Sequence, residues 1–251
     1  MIKQTKPPLT RPYVRMVQGG YRSFRNTVSV RSPEWLRQRL DSTFDYFDLF
    51  MVDHGVFRAL YSNTHPLSQD VWRSSQPAPR NIRRLAKRRG LKTIINLRGD
   101  RDCGSYRLEQ QVCAKYGIKL INFSVKSRQA PERRVFHEAK ALFDSIEYPV
   151  LLHCKSGADR AGLMSALFLI LKAGVPVAEA KRQLSLRFGH IRQADTGVLD
   201  FVFDSYLAHS SREPIAFLDW VDQHYDENAL GQQFKADGLA NVVVNKLISR
   251  E

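Results

Sequence analysis

The sequence predicts an α/β fold: a mostly parallel central sheet of four to five strands flanked by helices. Three observations carry this reading. The apolar run Pro149-Val150-Leu151-Leu152 reads as a buried strand, and the apolar stretch from Ala161 to Leu171 behind it reads as a buried helix. Upstream, Lys92-Thr93-Ile94-Ile95-Asn96-Leu97 reads as a second buried strand, preceded by helical residues Asn81 to Arg89 that stop at Gly90. Strand, helix and strand alternate along the chain, the order that builds a parallel sheet with crossover helices.

Taken in order, residues 1–32 are polar, rich in arginine and broken by Pro7, Pro8, Pro12, Gly19 and Gly20, so they read as a basic, flexible arm. Ser32-Pro33-Glu34 opens a helix. Residues 33–66 form an amphipathic helical extension, with Trp35, Leu36, Leu40, Phe44, Phe47, Phe50 and Met51 near one face and Asp41, Asp45 and Asp48 interleaved. Packing on a core and lying on a membrane surface both suit such a face. The main domain, 67–210, starts with Val71 to Pro77, a short strand entering a turn. After the strand at Lys92–Leu97 come a helix from Tyr106 to Tyr116 that buries Cys113, a strand from Lys119 to Val125 and a helix from Pro131 to Ile146. Beyond the apolar helix lie Val177 to Phe188 and a helix whose apolar face holds Leu199, Val202, Phe203, Tyr206 and Leu207. Residues 211–251 read as a C-terminal helical extension, with Phe217, Leu218, Trp220 and Val221 in one short helix and a last helix or strand from Leu239 to Ile248.

The chemistry concentrates in His153-Cys154-Lys155-Ser156-Gly157-Ala158-Asp159-Arg160, which joins the strand to the N-terminus of the apolar helix. Unpaired amides and the positive end of the helix dipole gather there, which makes an anion site before any side chain is counted. Cys154 sits at its mouth, where the same field stabilises a thiolate nucleophile. Arg160 offers a planar two-pronged donor matched to two phosphate oxygens, and Gly157 lets the loop turn its amides inward without a Cβ in the way. The plainer alternative is an inert buried cysteine in a strand-to-helix turn.

A cysteine followed after five residues by an arginine, with His153 before it and Gly157 three after it, resembles the signature loop of the cysteine-dependent protein tyrosine and dual-specificity phosphatases. The run Arg73-Ser74-Ser75-Gln76-Pro77 is similar to the domain start of the bacterial atypical, Siw-like members. The resemblance implies a two-step reaction. Cys154 attacks phosphorus to give a phosphocysteine, Arg160 clamps the phosphoryl group, Lys155, Ser156, Gly157, Ala158 and Ala161 form the substrate-binding loop, His153 supports it from behind, and water clears the intermediate. Two departures stand out. Ala161 occupies the place where the family commonly carries Ser or Thr, so that hydrolysis of the intermediate is slowed or Ser156 or Ser165 substitutes. The upstream loop Lys126 to Pro131 has no aspartate to serve as general acid. Asp159, directly before the arginine as in myotubularins, Sac-type phosphoinositide phosphatases and lipid-active bacterial tyrosine phosphatases, fills that role or merely complements the helix dipole. Asp100 and Asp102 are the alternative acids, because the loop Arg98 to Gly104 should share the rim with Cys154. Arg98 and Arg101 are candidate second phosphate contacts, and Cys103 a candidate disulfide partner for Cys154. Lys181, Arg182 and Arg187 line the pocket or solvate its edge.

A formal charge of +14 on 251 residues points to polyanionic partners. The chain carries its excess in the N-terminal arm and in Arg80, Arg83, Arg84, Lys87, Arg88, Arg89 and Lys92. A nucleic acid is disfavoured because no binding motif accompanies the charge. The expected partners are a phosphorylated protein or a phosphoinositide or inositol phosphate as substrate, with Lys155 resembling the loop lysine of lipid phosphatases, and an anionic membrane surface for the arm. No metal or cofactor is expected. Three cysteines without a disulfide framework, no secretory segment and no run long enough to cross a bilayer predict a cytoplasmic protein, peripheral at the membrane through its arm. Two rival functions remain at this stage: a catalytically weak or inactive phosphate-binding module, and a membrane-surface adaptor.

Overall fold

The structure, a computed structural model, describes Pro33, Thr43, Asp45 and residues 63–236. The arm at 1–32, the aromatic face from Trp35 to Met51 and the last element at 239–248 lie outside the described residues. The chain divides into two compact units, 1–60 with 102–108, and 61–101 with 109–251. In the first, Arg107 donates from Nε and Nη2 to Oδ1 of buried Asp45 at 3.0 and 2.8 Å, and from Nη1 to Asp102 at 2.5 Å.

The second unit holds a five-stranded sheet in the order β1-β2-β5-β3-β4. Its strands are β1 (His65–Pro66), β2 (Val71–Ser74), β3 (Thr93–Asn96), β4 (Lys119–Asn122) and β5 (Val150–His153). Only the pairing of β1 with β2 is antiparallel. Central β5 is buried on both faces, which explains its unbroken apolar run. Val150 and Leu152 point with Ile95 into one core, and Leu151 points with Ile94 and Trp72 into the other.

Helices α1 (Pro79–Arg89) and α2 (Gly104–Tyr116) supply Ile82 and Cys113 to the smaller core. The larger core is covered by α3 (Arg133–Ser145), α4 (Asp159–Leu171), α5 (Val177–Ala180), α6 (Val198–Ser210) and α7 (Phe217–Gln223). Burial, with Glu109 nearby, pushes the Cys113 thiol up to about 12, which suits an inert core cysteine. No helix among the described residues is long and apolar enough to cross a membrane.

The register fixes where chemistry can occur. Ser74 and Asn96 both pair with His153, so three strands end in one row. The loops that leave it, 75–78, 97–101 and 154–158, therefore share a rim at the carboxyl ends of parallel strands.

Several elements differ from expectation. The expected strand from Lys119 to Val125 ends at Asn122, since β4 is an edge strand paired on one side. The stretch Val177–Phe188, for which the sequence named no element type, holds α5, which stops after Ala180 and gives way to 3-10 turns at Lys181–Gln183 and Leu186–Phe188. The cause is tertiary, because the Gln183 carbonyl accepts from the Arg73 guanidinium at 2.6 Å instead of a helical amide. The expected extensions begin inside the main fold: His65 and Pro66 are already in the sheet, and Phe217, Trp220, Val221, Tyr225 and Leu230 lie in the larger core. Tyr225 locks the latter segment by donating from its hydroxyl to Pro131 O at 2.6 Å and accepting from Arg133 at 2.6 Å on its carbonyl.

Phe136 on α3 is fully buried, with the rings of Phe217 and Tyr225 edge-on at 5.7 and 5.2 Å. Phe136→Ala should cost about 3–5 kcal/mol in urea denaturation; a loss under about 1 kcal/mol would contradict this joint core.

Candidate active site

The Cys154 loop leaves β5 at the centre of the rim. Cys154 is 2% exposed, its amide donates to Ser74 O at 3.4 Å, and its Sγ accepts from the Gly157 amide at 3.2 Å. Lys155 and Ser156 are exposed at the mouth, while Gly157 and Ala158 are buried and Asp159 and Arg160 are half-buried. Gly157 has φ +77°, and a Cβ there would stand 2.7 Å from Ser75 N and 2.9 Å from Asn63 Nδ2. The loop is pressed so closely against its neighbours that only glycine fits.

A loop that turns amides inward must turn carbonyls outward, and each outward carbonyl needs a donor. Lys155 O accepts from the Gln76 amide at 3.3 Å, and Ser156 O from Asn63 Nδ2 at 2.9 Å. Gly157 O and Ala158 O both accept from Arg73 Nη2, at 2.6 and 3.0 Å. Arg73 is 0% exposed, lies 4.0 Å from the centre of the Phe188 ring, and binds Gln183 O and Oε1 with Nη1. Burial lowers its guanidinium to about 10, against the opposing pull of Cys154 and Asp159. The run Arg73 to Pro77 is thus the brace of the loop.

Beneath His153 runs a buried polar chain. Arg98 Nη1 donates to Gln76 Oε1 at 2.7 Å, and Gln76 Nε2 donates to Glu109 Oε2 at 3.1 Å. Glu109 Oε1 stands 2.8 Å from His153 Nε2, close enough for ionic contact but out of line for a hydrogen bond. His153 is fully buried at the end of β5, directly before Cys154.

Arg160 donates from Nη1 to Leu97 O at 3.3 Å, which ties the arginine to the loop after β3. Burial lowers its guanidinium, Cys154 raises it, and the like charges of Arg98 and Arg101 lower it again. The charges of Arg98 and Arg101 thus reach Arg160, a concentration of positive charge that suits an anionic ligand.

Asp159 does not stand alone. Its Oδ1 lies 2.7 Å from His190 Nδ1, and the other ring nitrogen lies 2.5 Å from Asp200 Oδ2. Burial by itself lowers the His190 ring, but the hydrogen bonds to Asp159 and Asp200 outweigh it and leave the imidazole raised to about 9. Of the alternative acids, Asp100 is exposed on the loop after β3, whereas Asp102, 87% exposed at its side chain, is paired with Arg107 in the first unit. All three cysteines are free, and Cys103 Sγ has Ser105 Oγ at 3.3 Å.

Ala161 is fully buried in the larger core. Of the two hydroxyls considered as its substitute, Ser156 Oγ accepts from the Ala158 amide at 3.4 Å, and Ser165 Oγ is buried without a hydrogen-bond partner. Lys181 is bonded to Asp204, Arg182 is exposed, and the Arg187 guanidinium lies 5.5 Å from the Phe188 ring.

Sequence reasoning missed Asn63, Glu109, His190 and Asp200, and saw Arg73 only as part of a run. One signal was present: a lone carboxylate, Asp200, in the apolar stretch Val198-Leu199-Asp200-Phe201-Val202-Phe203, which demands a buried partner.

Residues 55–197 match the family model described as DSP-PTPase phosphatase fused to NAD+ kinase. A curated relative, inositol diphosphatase DSP1 of Oryza sativa subsp. japonica, is 28% identical over 119 residues, covering 45% of this chain and 44% of that protein. The match thus spans under half the length of that relative. Among solved structures, P. aeruginosa TpbA is similar at 19% identity and TM-score 0.45, over 60% of this chain and 91% of that one. The core catalytic domain of the PP-IP phosphatase SIW14 from S. cerevisiae is similar at 20% identity and TM-score 0.44, over 60% and 91%.

Two measurements check this geometry. Gly157→Ala should abolish phosphate and vanadate binding, because a left-handed backbone and contacts under 3 Å leave no room for the methyl group; calorimetric titration of vanadate reads it, and wild-type affinity would contradict it. The raised His190 contributes stability that is complete below the unfolded value near 6.5 and is lost as pH rises through about 9. Urea denaturation from pH 6 to pH 10 should lose on the order of 2–3 kcal/mol in wild type, and His190→Gln should flatten that slope.

Proposed function

Because the chain belongs to the family of DSP-PTPase phosphatases fused to NAD+ kinase, we propose that it is a phosphomonoester hydrolase that works through a phosphocysteine intermediate. The observation that carries the reading is the Gly157 amide directed at Cys154 Sγ in a loop whose carbonyls are all bonded outward. A loop so held presents fixed donors to the equatorial oxygens of a transferring phosphoryl group and needs no rearrangement during reaction.

Cys154 Sγ attacks phosphorus while the ester P–O bond breaks, and the leaving oxygen takes a proton from Asp159. Arg160 holds two phosphoryl oxygens throughout. Water then attacks the phosphocysteine, Asp159 accepts a proton from it, and the thiolate departs. Asp159 is preferred over Asp102, which is committed to Arg107, and over Asp100, which is exposed. The Ala161 methyl gives the departing thiolate no hydroxyl, so this second step is the slower one.

For substrate, we favour a phosphoinositide or inositol phosphate carrying several phosphates. Arg98 and Arg101 stand close enough to act on Arg160, Lys155 is exposed at the mouth, and the curated relative is named an inositol diphosphatase. Exposed Arg83, Arg84, Lys87, Arg88 and Arg89 on α1, a helix without an acidic residue, support peripheral attachment to an anionic membrane surface in a reducing cytoplasm.

Cys154→Ser should lose turnover by at least about 10³-fold while keeping phosphate binding; full activity in that variant ends the proposal. A turnover panel of phosphotyrosine peptide, phosphoserine peptide, phosphoinositide and inositol polyphosphate should rank the last two first, and preference for phosphotyrosine would overturn the substrate assignment.

A further inference from the structure

We propose that His190 is the positioning residue of the proton-transfer step: held between Asp159 and Asp200, it aims Asp159 and restores the proton that Asp159 gives to the leaving oxygen. This rests on the reading of Asp159 as the acid.

The geometry is specific. The imidazole of His190 is fully buried, with Nδ1 2.7 Å from Asp159 Oδ1 and Nε2 2.5 Å from Asp200 Oδ2. With a carboxyl oxygen of Asp159 and of Asp200 facing its two nitrogens, the ring donates from both as the imidazolium, the form that the pull of these two groups favours. Asp200 is itself buried in α6 beside Leu199 and Val202, where an unpaired carboxylate would be costly. It serves to keep the imidazolium in place, as Asp159 is the only one of the two next to Arg160. His190 is fixed in turn by its backbone, which donates to Ser185 O at 3.1 Å beyond the left-handed turn at Gly189.

The ring therefore occupies Asp159 Oδ1 and leaves Oδ2 as the oxygen that can serve a substrate. When ester cleavage begins, the Oδ2–H bond breaks and the new O–H bond forms on the leaving oxygen, which keeps the electron pair of the broken P–O bond. The Nδ1–H proton moves to Oδ1, so Asp159 stays neutral and His190 becomes neutral with Nε2–H still on Asp200. In the second step the attacking water loses a proton to Oδ2 as its oxygen joins phosphorus, and the Oδ1 proton returns to Nδ1. Protons balance over the cycle: Asp159 is neutral between the two steps, and the imidazole, neutral in that interval, still donates from Nε2–H to the Asp200 carboxylate.

The charged groups that act on the ring are Asp159 from α4 and Asp200 from α6. Glu179, Lys181, Arg182, Arg187 and Arg192 line the same cavity, of about 740 Å³, with Lys181 and Arg192 bonded to Asp204. Removal of the ring proton should thus appear in kcat as an alkaline limb above the ordinary imidazole range, because Asp200 holds that proton.

The test compares two esters in the full-length chain: an alkyl phosphate, whose leaving oxygen needs a proton, and p-nitrophenyl phosphate, whose leaving oxygen does not. His190→Gln should lower kcat on the alkyl ester by about 10²-fold and on the aryl ester by roughly tenfold less, with KM little changed. Asp200→Asn, which keeps an acceptor for Nε2, should move the alkaline limb to lower pH; it also provides the answer if His190→Gln fails to fold. Equal losses on both esters, or an unmoved limb in Asp200→Asn, overturn the relay. A wild type that hydrolyses neither ester overturns the phosphatase reading itself, a different result from variants that fall equally below an active wild type.

Discussion

The guanidinium of Arg73 sits where the rest of the site has to be built around it. A phosphate-binding loop gathers amides at one point, and the backbone then exposes a row of carbonyls on the opposite side. Water cannot serve carbonyls in a dry interior, so the fold must bring donors. One buried arginine meets two of those carbonyls, Asn63 meets the third and the Gln76 amide the fourth. The same arginine holds Gln183 O and stacks on Phe188, so the turns after α5 are cut to its shape. Gly162 shows the closeness of that fit, since a Cβ there would meet Gln183 O at 2.8 Å. Brace, loop and turns are one cooperative piece, and none of its parts is free to move alone.

What could be read from the sequence was local. The strand, the tight loop with Gly157 and the apolar helix follow each other without interruption, and so Cys154, Arg160 and the α/β class were legible from spacing and periodicity. The supports were not, because they arrive from far along the chain. Arg73 is 84 residues from Gly157, Asn63 is 93 from Ser156, and His190 is 31 from Asp159. Nothing in the residues around Arg73 says that its side chain is buried. Asp200 is the exception, since a carboxylate surrounded by Leu199, Phe201 and Val202 contradicts the helix pattern it sits in. Such a contradiction marks a functional or strained position more often than an error of pattern. The end of α5 was equally illegible, because the bond that stops it comes from β2.

The two parts of the site treat charge in opposite ways. Under the loop, charges are matched: His190 lies between two carboxylates, and Arg98 reaches Glu109 through Gln76. At the mouth the like charges of Arg98 and Arg101 oppose that of Arg160, while Cys154 and Asp159 favour it. The matched groups hold the floor in one geometry. The positive charge gathered around Arg160 makes the mouth attractive to an anionic group.

This layer of ions is expensive. Arg73, Glu109, His190 and Asp200 are all at most 2% exposed, and burying paired charges is on balance neutral or unfavourable for stability compared with apolar residues of similar volume. The larger core could have closed over this region with leucine and phenylalanine, as it does around Leu163 and Phe203. Stability alone therefore does not account for the layer. Each buried ion instead touches the Cys154 loop or a residue that does: Arg73 binds its carbonyls, Glu109 meets His153, and Asp200 reaches Asp159 through His190. The fold accepts a weaker floor beneath the one loop whose geometry must not relax, and spends its apolar packing on α3, α6 and α7, where no such demand exists.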